Sequence, residues 1–422
     1  MIKHSYKQKA FRDHFYMNLE AGKFKNLNLN FLQLMIILGM NAGLPTIVLG
    51  NSLKQISGDG AVICSIAVGN LILWLIGTAI ISMAYEDRIN AIENAKIYIG
   101  RYGGVLVALI LAFALINWFV ILISGSVATI DRYLHVGQTL RQGFTLKFGA
   151  GLGLFCTLLS IGKLNLIRWL SLFGFPVIFL YHLYMIFSAD YSSESWTISF
   201  AGVITTILVY LPGILSLPTL FRHSRSRADS FLGFALAMLV IMLFQISSAL
   251  MSTSLFFVFS IFSILVLIIY PLICNNSLNI YWASACWETY LPNVEGIKGG
   301  IIFGIMGVAF YTFIQISPQI TFIADLINSY LSNFGIVLLV SFLMQSVIRH
   351  RPRTLAKLLN TVAWLIGCVV ATIWKFESPE NGIQALVAGI MAIVLFFLCV
   401  IFVEEVVWSI KLLSSGKRRS KT

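Results

Sequence analysis

Charge is scarce in this chain, and its scarcity settles the class. Only 11% of the 422 residues are Asp, Glu, Lys or Arg, against 58% hydrophobic residues. No polar stretch between the apolar runs is longer than a short loop, which excludes a separate soluble domain. The first thirty residues lack an apolar segment followed by a small-residue cleavage site, so the first apolar run is expected to act as an uncleaved signal. Cysteine is sparse as well. Cys64, Cys156, Cys274, Cys286, Cys368 and Cys399 lie within or at the ends of apolar runs, with no metal-ligand spacing among them, and read as small buried residues. Convergent acids and bases and long catalytic loops are also missing. A membrane-embedded transferase therefore has little to build on, and neither enzymatic activity nor a bound cofactor is expected.

What is present is apolar sequence, with a mean hydropathy of +0.88, in lengths that cross about 30 Å of hydrocarbon. Twelve spans can be marked, near 31–51, 61–84, 103–130, 143–162, 169–189, 198–221, 231–251, 255–287, 299–316, 320–348, 358–374 and 382–405. The fold class is all-α, a polytopic membrane protein. The fourth span must let Lys147 snorkel outward. The eighth is too long for one straight crossing and holds Pro271, so it bends or continues as an interfacial helix. Of the 29 Lys and Arg residues, 24 fall on the side of the N-terminus, leaving Lys54, Arg132, Arg141, Lys147 and Lys375 opposite. Basic residues are retained on the cytoplasmic side, which predicts a cytoplasmic tail at 1–30, a transmembrane domain at 31–405 and a second cytoplasmic tail at 406–422. The net charge of +12 is thus a topological feature and not a sign of nucleic-acid binding. The Lys417-Arg418-Arg419-Ser420-Lys421 tail meets anionic membrane lipid at most.

Two spans are irregular. Phe31–Asn51 carries Gly39, Asn41, Gly43 and Pro45 midway, and Leu208–Arg222 carries Pro212, Gly213 and Pro218. Irregular backbone at membrane depth is tolerated only where protein or a wet cavity covers it, and paired broken spans mark transporter binding sites. If spans one to five (31–189) and six to ten (198–348) are equivalent, their odd number gives them opposite topology. The broken helices 1 and 6 become symmetry mates, and 358–405 supplies two additional helices.

Few groups at depth carry chemistry. Asp325 in the tenth span reads either as a proton or cation ligand or as a carboxylate wetted from outside. His182 in the fifth reads as a satisfied buried histidine rather than a proton relay. Glu404 and Glu405 read as interfacial. The eighth span contains Cys274-Asn275-Asn276-Ser277-Leu278-Asn279. Three amides and a hydroxyl are costly in lipid; they line a polar cavity or bond to neighbouring helices. Asn117-Trp118-Phe119 places a Trp at mid-depth, away from the interfacial belt, either as packing or as a ring platform.

At these residues the chain resembles the nucleobase–cation symporter-1 family, in particular bacterial cytosine permeases and related purine, pyrimidine and hydantoin carriers. The resemblance rests on Leu38-Gly39, Gly69-Asn70-Leu71-Ile72-Leu73, Trp118-Phe119, Leu220-Phe221-Arg222-His223 and Tyr281-Trp282-Ala283-Ser284. It implies ten core helices in two inverted repeats plus two more, in a cell membrane, which for a bacterium is the inner membrane. It also implies a small-molecule substrate and action as a monomer. A flat heterocycle would lie between Trp118 and Tyr210 beside Gly43, its edge read by Asn276, Ser277 or Asn279. In sodium-coupled members, span-one carbonyls, here Gly39 and Gly43, and a hydroxyl pair of span eight hold the ion. That pair falls here on Asn275 and Asn276. An amide oxygen can coordinate a hard cation, so Na+ stays possible, with H+ carried by Asp325 as its rival. Leu122 stands where some relatives carry a polar residue. An amino-acid carrier of the same superfold is the nearest alternative, holding a carboxylate at the ends of broken helices.

Overall fold

The computed structural model describes residues 27–56, 58–85, 87–134, 138–189, 196–250, 265–291, 294, 296–316, 321–347, 353–377 and 382–419. Among these residues twelve α-helices run in order: α1 Phe31–Ile56, α2 Asp59–Tyr85, α3 Ala91–Leu134, α4 Gln138–Ser160, α5 Lys163–Phe187, α6 Phe200–Phe221, α7 Arg227–Leu250, α8 Tyr270–Trp287, α9 Ile297–Ile316, α10 Thr321–Val347, α11 Arg353–Glu377 and α12 Gly382–Arg419. Among the described residues ten helices are long and apolar enough to cross a membrane, as is expected of an integral membrane protein. In α1 the apolar stretch Phe31–Ala42 is shorter. The amide-rich α8 is not among the ten. It is enclosed instead, packed against α1, α3, α4, α5 and α9, and it buries residues on every face from Pro271 to Cys286. A polar helix survives at depth when protein surrounds it.

Helix ends follow local chemistry. Asn30 and Gln33 form a capping box before α1, Asn30 Oδ1 accepting from Gln33 N at 2.9 Å and Gln33 Oε1 accepting from Asn30 N at 3.3 Å. Asn90 and Glu93 do the same for α3, at 2.8 and 3.0 Å. Gly100 breaks α3 with φ 79° and ψ −178°, a conformation only glycine adopts freely, so a short leading segment turns into the long span. The bend expected at Pro271 is a change of winding. A π-helical turn, Leu265–Ile269, passes into α8, and Pro271 sits in its first turn, where a missing N–H costs least. Residues 255–264 of the expected eighth span lie outside the described residues. The twelfth helix runs on through the segment expected to be a tail from 406, as far as Arg419.

The interruptions expected in helices 1 and 6 are not gaps. Both α1 and α6 are helical from end to end, with Pro212 and Pro218 inside α6. A proline removes one N–H from the ladder, so each break amounts to a carbonyl in need of a partner, not an unwound segment.

Packing repeats itself across the chain. α1 packs on α7 as α6 does on α2, α1 on α5 as α6 on α10, α4 on α8 as α9 on α3, and α5 on α7 as α10 on α2. α3 meets α8 and α4 meets α9 directly. Exchanging α1–α5 for α6–α10 maps this set onto itself, as two equivalent five-helix units require. α11 and α12 pack on each other and on α10, outside the pattern.

At the end of the bundle where α1 begins, a polar network ties loops to helix ends. Leu29 bridges to Ser224, with Leu29 N donating to His223 O at 2.9 Å and Arg225 N to Leu29 O at 2.8 Å. Arg88 Nη1 donates to the carbonyls of Arg222 and Ser224 at 3.2 and 3.1 Å. Arg222, at the end of α6, forms a buried ion pair with Glu288, just past α8, at 2.9 Å. His223 Nε2 lies 3.2 Å from the Tyr281 hydroxyl. Burial, together with the Arg222 and Arg88 guanidinium groups, holds the His223 imidazole down to about 3, so it is neutral at physiological pH.

Candidate functional site

The site is built on α8 and the helices around it. Pro45 has no N–H to give to the carbonyl four residues back, which leaves Asn41 O without its helical donor. The Asn275 side-chain amide donates to that oxygen and accepts from Asn279 Nδ2 at 3.1 Å. Asn41 Nδ2 turns back to Ile37 O at 2.6 Å, leaving Asn41 Oδ1 buried with no partner.

Successive side chains on a helix point about 100° apart, and Asn276 accordingly faces α3. Its Nδ2 reaches Phe119 O at 3.3 Å, while its Oδ1 is buried and unpaired. Asn275 and Asn276, expected to share one ion, therefore point to different helices. Ser277 is wholly buried, with an unpartnered hydroxyl.

Trp118, beside the Phe119 carbonyl, is half-buried against the main core, its Nε1 enclosed and without an acceptor. Tyr210 on α6 is half-buried too, between that core and the cluster of Leu49, Leu53, Val62, Ile66 and Ala249. Its hydroxyl faces Gln245 without meeting hydrogen-bond geometry. α3 and α6 are in contact, yet among the described residues no ring contact joins Trp118 to Tyr210. Gly213 offers bare backbone here, and among the described residues only Trp282 Cζ3, at 4.0 Å, comes near where a Cβ would stand.

Gly39 packs where α1 crosses α5 and α7: a Cβ there would stand 2.9 Å from Phe175 Cε2 and 3.1 Å from Val240 Cγ1. Gly43 lies one turn on in α1, and Asp325 lies in α10; the surroundings of Gly43 and the side chain of Asp325 are outside the described residues. His182 is satisfied, its Nδ1 bonded to Ser247 Oγ and its ring stacked on Phe244 at 4.1 Å. Leu122 is buried.

Sequence reading did not assign Asn41 or Trp282 to the site. For Asn41 the signal was available, since a carbonyl four residues before a helical proline is bound to need another donor. Trp282, with Nε1 buried and unpaired, stands in the sequence only as part of the Tyr281-Trp282-Ala283-Ser284 resemblance, which assigns it no role.

No protein-family model matches the chain, and no curated protein matches it. Solved structures do. Mhp1, a nucleobase-cation-symport-1 family transporter in a closed conformation with bromovinylhydantoin bound, aligns at TM-score 0.61 and 16% identity, over 88% of this chain and 92% of that one. Its inward-facing conformation aligns at 0.57 with the same identity, over 89% and 91%. The Eremococcus coleocola manganese transporter in complex with an aromatic bis-isothiourea substituted compound aligns at 0.54 and 13% identity, over 91% and 95%. At such identities the likeness establishes the fold, and the proteins that share it are transporters, not enzymes. The chain is an integral membrane protein with the fold of these transporters.

Proposed function

We propose that this protein is a secondary active transporter that imports a nucleobase or a related planar heterocycle by alternating access, coupled to Na+ or H+. It acts as a monomer with both termini in the cytoplasm. The observation that carries this reading is the set of buried, unpartnered polar atoms on α1, α3, α6 and α8. Asn41 Oδ1 and Asn276 Oδ1 accept, Trp118 Nε1 and Trp282 Nε1 donate, and the Ser277 and Tyr210 hydroxyls do either. Each such group left unpaired costs about 1–3 kcal/mol. A flat ring with donors and acceptors along its edge would pair several of them while the Trp118 and Tyr210 rings cover its faces.

The unbroken course of α1 and α6 favours this over an amino acid, because a substrate carboxylate would want the free helix ends that neither helix offers. That Mhp1 is described with a bromovinylhydantoin bound agrees with a planar substrate. Uptake of a radiolabelled panel of nucleobases and hydantoins, with amino acids as controls, into a host lacking its own carriers tests the reading. Saturable uptake of at least one heterocycle is expected. Uptake of an amino acid alone, or of nothing above the empty host, would overturn it.

A further inference from the structure

We propose that the position a coupling sodium ion would take between α1 and α8 is filled by the protein's own Asn275 amide, so that no sodium binds there. The ion set implied by the family resemblance, Gly39, Gly43, Asn275 and Asn276, does not fit a cation in this chain. α1 is helical throughout, so the Gly39 and Gly43 carbonyls keep the N–H groups four residues on. Only Asn41 O, opposite Pro45, is released.

That one free oxygen is in direct contact with Asn275 Nδ2. An N–H group cannot ligate a cation. It places the positive end of its own dipole where the ion's charge would sit and takes the place of the helical donor that Pro45 lacks. The amide is also held in this sense from behind, since its Oδ1 accepts from Asn279 Nδ2. Turning it round would set two oxygens against each other and force Asn279 to turn as well. The fourth member, Asn276, bonds to α3 and not to α1, and Gly39 faces Phe175 and Val240. What the hydroxyl pair does for an ion in the resembled family, an Asn279–Asn275–Asn41 relay does here without one.

This inference rests on the transporter reading only for its consequence, which is transport that needs no sodium at this point. The ion measurement itself requires no substrate. The full chain, purified in lipid nanodiscs, is titrated with 22Na+, and its thermal unfolding is compared in sodium chloride and choline chloride of equal ionic strength. The wild type is expected to bind no saturable 22Na+ and to unfold at the same temperature in both salts. Asn275→Asp sets a carboxylate oxygen against Asn41 O and is expected to gain a sodium-specific rise in Tm. Saturable wild-type binding that Asn275→Ala weakens by about tenfold or more would overturn the proposal. Should that variant not fold, the same loss in Asn275→Ser or Asn279→Ala would overturn it equally. Sodium binding that all these variants leave unchanged lies elsewhere in the molecule and stands with the proposal. Should no heterocycle be transported, the binding result keeps its meaning and only the functional reading falls.

Discussion

A half-buried indole whose N–H finds no acceptor is a costly group to keep inside a helix bundle, and Trp118 is one. If it stacks on substrate, its ring face contributes on the order of 1–3 kcal/mol. Trp118→Ala is then expected to weaken binding roughly tenfold to a hundredfold, with Trp118→Phe retaining much of it. Binding per folded molecule checks this. A packing role would instead lower the yield of folded protein and leave the affinity of the remainder unchanged. His223 tests the polar network at the other end of the site's helices. Its folded pKa lies below the ordinary value near 6.5, so the unfolded chain takes up the proton first. The group costs nothing above about pH 6.5 and destabilises progressively below it, toward pH 3. His223→Gln, which can still bond to Tyr281, is expected to flatten the fall in Tm between pH 7 and 5. An equally steep fall would place the acid sensitivity elsewhere. At this scale the sequence shows which residues are out of place at depth, such as Trp118 and the α8 amides, but not where they point. Asn275 and Asn276 are neighbours in the chain and part company in space, because a helix turns between them.

At the scale of the element, α1 matters most. Its proline and glycines were legible as trouble in an apolar span; the remedy was not, since it comes from Asn275, more than two hundred residues away. Hydropathy marks spans well because the bilayer imposes their length. It marks α8 within the eighth span but not why its amides are tolerated there, which is that neighbouring helices enclose it. The glycine turn at Gly100 and the continuation of α12 depend on backbone geometry that a hydropathy average does not contain. Pro45→Ala returns an N–H to Asn41 O and removes a proline that costs a helix interior about 3 kcal/mol. The variant is expected to unfold at a higher temperature and to transport more slowly per folded molecule, as α1 stiffens and Asn275 loses its sole claim on the carbonyl. A lower Tm would show that Pro45 is needed for packing and not for a free carbonyl.

For the whole molecule, the repeated packing sorts eight helices into two groups, α1, α2, α6 and α7, and α3, α4, α8 and α9, which the proposed alternating access would move against each other. The Arg222–Glu288 ion pair joins them at the end where α1 begins, with Arg88 and the Leu29–Ser224 bridge fastening the loops beside it. In the proposed alternating access, opening at that end would have to break this pair. Removing one partner leaves a buried charge uncompensated and costs about 3–5 kcal/mol, whereas replacing both with apolar residues is often neutral. The two changes separate a latch from a structural strut. Cys286, buried and free two residues before Glu288, is a native reporter once the other five cysteines are replaced. Glu288→Gln is expected to lower Tm and speed maleimide labelling of Cys286. The paired Arg222→Met and Glu288→Leu variant is expected to recover most of the Tm while still labelling faster than the parent, because the charge attraction holding the groups together is gone. Protection of Cys286 equal to the parent in the paired variant would mean that apolar packing, and not the ion pair, keeps this end closed.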